Sequence, residues 1–107
     1  MDRVLYDSVS KTKLIGPLNL LASLCMSKCR IIENDKEWPT PANCQPRFNW
    51  EDNQIRVDWY ADHNTTYFDS NIFPIKSVNK IVDHRDTYEI FLDDGIIIEF
   101  KVTLFLS

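Results

Sequence analysis

The side chains able to do chemistry in this chain are few and widely spaced. His63 and His84 are its two histidines, and an aspartate precedes each, Asp62 and Asp83. A histidine oriented by a carboxylate can act as a general base. Both, however, sit in polar runs that read as turns, Asp62-His63-Asn64-Thr65 and Asp83-His84-Arg85-Asp86. Solvated turn histidines are expected. Carboxylate pairs are available at Asp58 with Asp62 and at Asp83 with Asp86, but among 16 acidic residues such pairs read as surface rather than as a catalytic dyad. Cys25 and Cys29 are four apart, so on a helix they share one face. A zinc site would need about four ligands in closer pairs, so no metal is expected.

Other chemistries are excluded outright. The two glycines, Gly16 and Gly95, cannot build a phosphate loop or a dinucleotide-binding turn. No nucleophile elbow and no two-histidine metalloprotease motif occurs. No catalytic residue and no cofactor is therefore assigned. Asn64-Thr65-Thr66 matches a glycosylation acceptor, which matters only in a secreted chain.

Aromatic residues interleaved with acids are the remaining candidates. Tyr60, Tyr67 and Phe91 lie among Asp58, Asp62, Asp69, Asp86, Glu89, Asp93 and Asp94. Exposed aromatics beside charge are an interface composition, so these ten residues are expected to contact a partner. Charge placement agrees. Residues 1–32 hold five basic and two acidic groups, whereas residues 33–107 hold seven basic and fourteen acidic, −7. An acidic surface repels nucleic acid, whose binding rests on phosphate neutralisation, and attracts a basic protein surface.

The elements that must position these residues can be read from periodicity. Val4, Leu5 and Val9 suit a short helix opened by Asp2, although Lys11-Thr12-Lys13 breaks its apolar face. From Pro17 to Arg30, Leu18, Leu21, Ala22, Cys25 and Cys29 recur at helical spacing, with Lys28 and Arg30 in the last turn. Lys11 and Lys13 before the apolar run give this stretch a likeness to a secretory signal. Asp2 and Asp7 spoil the expected positive start, and the run is too short to span a bilayer. A core helix in a cytoplasmic protein is expected, and an odd cysteine count agrees with a reducing compartment.

Residues 33–53 hold Pro39, Pro41 and Pro46 with Trp38, Phe48 and Trp50, and read as a long loop. Ile55, Val57, Trp59 and Ala61 alternate with Arg56, Asp58 and Tyr60, as in a half-buried strand. Strands over 66–73 and 76–82 follow.

The last twenty residues carry the sharpest signal. With Asp93-Asp94-Gly95 as a three-residue turn, Leu92 faces Ile96, Ile90 faces Ile98 and Tyr88 faces Phe100, all apolar. Glu89 then opposes Glu99, with Lys101 to offset them, and Phe91 and Ile97 face outward.

The expected fold is α+β in a single domain, 1–107. An N-terminal helical part (1–32) packs on a four- or five-stranded antiparallel meander (54–106) ending in a β-hairpin, with the Pro/Trp-rich loop at 33–53. The expected function is that of a small acidic protein-binding protein. Its most concrete form is an immunity or inhibitor protein that masks the basic active site of a toxin or nuclease, without nucleic acid or membrane as partner. One alternative is a small-molecule or catalytic domain with a pocket under the 33–53 loop, lined by Trp38, Trp50 and Trp59 beside His63 or Asp58. Another is a structural subunit or homodimer joined through the Leu104–Leu106 edge.

Overall fold

The computed structural model describes residues 2–10 and 12–103. The order is β1 (Arg3–Asp7), α1 (Ile15–Ser23), β2 (Met26–Glu33), β3 (Lys36–Glu37), β4 (Gln45–Glu51), β5 (Gln54–Ala61), β6 (Thr66–Pro74), a 3₁₀ turn (Ile75–Ser77), β7 (Val78–Asp83), β8 (Thr87–Leu92), the turn Asp93–Gly95 and β9 (Ile96–Val102). The class is α+β with antiparallel pairing throughout. The strands form two sheets rather than one: β1-β7-β8-β9-β2-β3 and β4-β5-β6. The Leu104–Leu106 edge lies outside the described residues.

The closing hairpin has the expected register. Tyr88 pairs with Phe100, Ile90 with Ile98 and Glu89 with Glu99. Asp94 and Gly95 both take left-handed backbone, φ 64° and 73°. A Cβ on Gly95 would push the Asn34 side chain aside, and the left-handed backbone favours glycine there. The hairpin inner face continues across the sheet. Ile81, Ile90, Ile98 and Ile31 lie in one row over four strands, all fully buried. Each such side chain contributes about 1.5–3 kcal/mol by leaving water.

Ile55, Val57, Trp59 and Phe48 line the inner face of the small sheet and are buried. The two inner faces meet in one core, where Phe48 stands edge-on to Phe100 with ring centroids 5.7 Å apart. Trp38 meets Phe73 with the rings tilted by 34° and their centroids 5.9 Å apart.

Three expectations about the elements are corrected. Arg3–Asp7, suited in sequence to a short helix, is an edge strand on β7, tied by Arg3 to Asp83 at 3.1 Å. The helix ends at Ser23 instead of Arg30, so Cys25 and Cys29 do not share a helix face. From Met26 the chain pairs with β9, burying Cys29 and Ile31 and exposing Arg30. Leu18 and Leu21 are fully buried, and α1 makes its main contacts with β4 rather than with the closing meander; the Trp50 Nε1 donates to Asn19 Oδ1 at 3.2 Å.

The 33–53 segment, expected as a loop, contains β3 and β4. Pro46 sits inside β4, which pairs on one side with β5 and is a sheet edge on the other, where a missing donor is tolerated. The meander also breaks after Pro74, where the 3₁₀ turn carries the chain from the small sheet to the large one. Among the described residues, no helix is long and apolar enough to cross a membrane.

Candidate functional site at the tip of the small sheet

The ten residues expected to contact a partner do not form one patch. Tyr60, Asp62 and Tyr67 come together at the β5–β6 end of the small sheet, while Asp69, near in sequence, pairs with Trp59. Glu89 and Phe91 lie on the outer face of the large sheet, Asp86 in the β7–β8 turn, and Asp93 and Asp94 at the opposite end of β8. Asp58 is buried, with 4% of its surface exposed.

The tip is built by an irregularity in the strands. The β5–β6 register shifts between Trp59 and Tyr60, so Phe68 is left without an opposite residue. Asp62, His63 and Asn64 all take left-handed backbone in the turn, φ 50°, 55° and 76°, a conformation that Asp and Asn tolerate better than most residues. Arg47 holds this turn from β4. Its Nε donates to Asn64 Oδ1 at 3.1 Å and its Nη2 to the Asn64 carbonyl at 3.0 Å. The same guanidinium lies 4.3 Å above the Tyr60 ring, a cation–π contact. The edge of Tyr67 meets Tyr60 at 5.9 Å and 77°.

Tyr67 is fixed from below. Ser70 Oγ donates its single proton to Asp58 Oδ1 at 2.5 Å, so at 2.8 Å it accepts from the Tyr67 hydroxyl. Asn49 Nδ2 donates to Asp58 Oδ2 at 2.5 Å, and Arg56 Nε lies 3.4 Å from Oδ1. The Asp58 carboxylate is thus used inside the protein. It positions Tyr67 and presents nothing to a partner's surface. Arg56 has its own pKa raised, first by its hydrogen bond to Glu51 and then by the charge of Asp58. The outcome is a tip with Tyr67, fixed by Ser70 and Tyr60, at 56% and its neighbour Phe68 at 62% exposure, with the exposed Asp62 in the adjoining turn.

Two clefts adjoin Tyr60. One of about 680 Å³ includes Cys25, Arg47, Tyr60 and Asn64 in its wall; the other, of about 470 Å³, includes Cys44, Tyr60, Asp62 and His63. No tryptophan lines either of them, or the third cleft on the large sheet. Each tryptophan indole instead donates a hydrogen bond within the protein. Trp38 bonds Glu33 at 3.1 Å, Trp50 bonds Asn19, and Trp59 bonds Asn71 at 2.8 Å.

His84 is not the free turn histidine that its neighbours suggest. Its Nδ1 lies 2.8 Å from Asp2 and its Nε2 2.5 Å from Glu89. Its pKa is raised, first by the hydrogen bond to Asp2 and then by the one to Glu89. The face around Glu89 and Phe91 is also not acidic. Lys28, Arg30, Lys80 and Lys101 share it with Glu37, Glu89 and Glu99. Phe91 and Ile97 are half-buried there, between Lys80 on β7 and Ile32 on β2.

Arg47 was absent from the expected set. The inward Pro46 and Phe48 alternating with outward Arg47 and Asn49 was its only trace, hidden by the prolines. Among the described residues, no cluster of three or more His, Cys, Asp or Glu is placed to hold a metal ion. No family model, curated protein or solved structure matches this chain.

Proposed function

We propose that this protein acts by binding another protein through the tip of its small sheet, with Tyr60, Tyr67 and Phe68 as apolar anchors and Asp62 and Asp69 meeting basic groups. The observation that carries this reading is the exposed Tyr67, held in a set position by the Ser70–Asp58 relay and against the Arg47-capped Tyr60 ring, with exposed Phe68 next to it. Ordered aromatics cost little entropy on binding and dominate interface energetics. Acids beside them favour a basic partner and speed its approach. The most concrete form of the role is an immunity or inhibitor protein that covers the basic active site of a toxin or nuclease.

The test is retention of partners by the immobilised protein at about 50 mM and about 500 mM salt, with Tyr67→Ala/Phe68→Ala and Phe91→Ala proteins in parallel. A specific protein retained at low salt, released at high salt and lost with the tip variant supports the proposal. Retention that ignores both salt and the tip variant, or that is lost equally with Phe91→Ala, defeats it.

A further inference from the structure

The outer face of the large sheet carries two like-charged pairs that directly oppose each other. Glu89 faces Glu99, and each has its own partner: His84 Nε2 at 2.5 Å from Glu89, a counter-charge when the ring is protonated, and Arg30 Nε at 3.0 Å from Glu99. One row along, Lys101 faces Lys28 on one side and Thr87 on the other. Among the described residues, neither ammonium has a carboxylate within ion-pairing distance. Like charges directly opposite one another destabilise a strand pair, so this pair lacks the compensation that its neighbour has.

The space between them is a cleft of about 260 Å³ lined by Lys28, Arg30, Thr87, Glu99 and Lys101. It has room for several waters at about 30 Å³ each, and so for a tetrahedral anion. The carboxylates around it are engaged. Glu99 is paired with Arg30, and Asp86, outside the cleft wall, accepts from the Thr87 hydroxyl at 3.3 Å. We propose that this cleft binds a phosphate-class oxyanion, with the Lys28 and Lys101 ammonium groups on opposite strands clasping it. The site lies on the large sheet and does not depend on the proposed partner surface of the small one.

The test is a titration followed by the backbone amide resonances of residues 28, 87 and 101. Inorganic phosphate is compared with chloride at equal ionic strength. Saturating shifts with phosphate and none with chloride are expected. Lys101→Gln should weaken binding about tenfold, and Lys28→Gln should repeat the loss from the opposite strand. Lys80→Gln, on the same face but outside the cleft, should change it less than about twofold. Phosphoserine serves as a second probe: tighter binding than inorganic phosphate identifies a phosphate carried on a larger molecule, and equal binding a free anion. Shifts that never saturate, that chloride reproduces, or that survive both lysine substitutions overturn the proposal.

Discussion

His84 titrates as one member of a chain of charges, Asp2–His84–Glu89, and this gives it a measurable signature. Because both hydrogen bonds raise its pKa in the folded protein, the protonated ring stabilises the fold. That contribution is complete below the ordinary histidine value, about 6.5, and fades as pH rises through the folded-state value. The His84 ring resonances should therefore titrate above the ordinary histidine value of about 6.5, and Glu89→Gln should lower that midpoint. An unchanged midpoint would mean that the pair is not formed in solution. Asp58 makes a second residue-scale prediction. Asp58→Ala leaves Asn49, Ser70 and Arg56 without their shared acceptor and should cost about 1–3 kcal/mol in urea unfolding. Loss of the Ser70 anchor should also loosen Tyr67. The thiols divide by burial: Cys29 is buried and its pKa is pushed up, by burial first and then by the charge of Glu99, whereas Cys25 is exposed. A thiol reagent should label Cys25 in the native protein and Cys29 only after unfolding.

At the scale of elements, the β8–β9 hairpin is where local chemistry and tertiary space make the same demand. Gly95→Ala meets a left-handed backbone and the Asn34 side chain together, and the conformation alone costs about 1–2 kcal/mol. A drop in thermal midpoint smaller than that of a surface Ala substitution would show that the turn is not held as described. This hairpin was legible in the sequence because a one-residue slip would have buried charges. The helix was harder to bound. Leu18 and Leu21 do face the core, but Cys25 and Cys29 continue their spacing by coincidence. Periodicity over one or two turns cannot separate the end of a helix from the start of a strand. β4 was hidden because proline argues against a strand in general, yet tolerates one at a sheet edge. The tip was half legible: Tyr60, Asp62, Tyr67 and Asp69 were singled out as neighbours in sequence, whereas Arg47 enters from another strand.

The whole molecule is held by one core shared between two sheets. Phe100 from β9 and Phe48 from β4 meet across it, and α1 adds Leu18 and Leu21. Neither sheet can keep its inner face dry without the other. Tryptophan fluorescence, reporting on Trp50 and Trp59 of the small sheet and on Trp38 packed against Phe73, should unfold together with the far-ultraviolet signal of all strands in a single transition. Phe100→Ala should lower stability by about 3–5 kcal/mol and move both signals equally; a split into two transitions would contradict the shared core. The sequence by itself determined what depends on near neighbours: the α+β class, the antiparallel pairing, the register of the last hairpin and the inward row of β5. Side-chain alternation and turn geometry act over a few residues, so they are written locally. Only the tertiary structure decided that the strands divide into two sheets, that Cys29 lies in a strand, that Asp58 is consumed in fixing Tyr67, and that Lys28 stands opposite Lys101. Each of these rests on a partner remote in sequence, brought close because burying the two apolar faces against each other outweighs local preference.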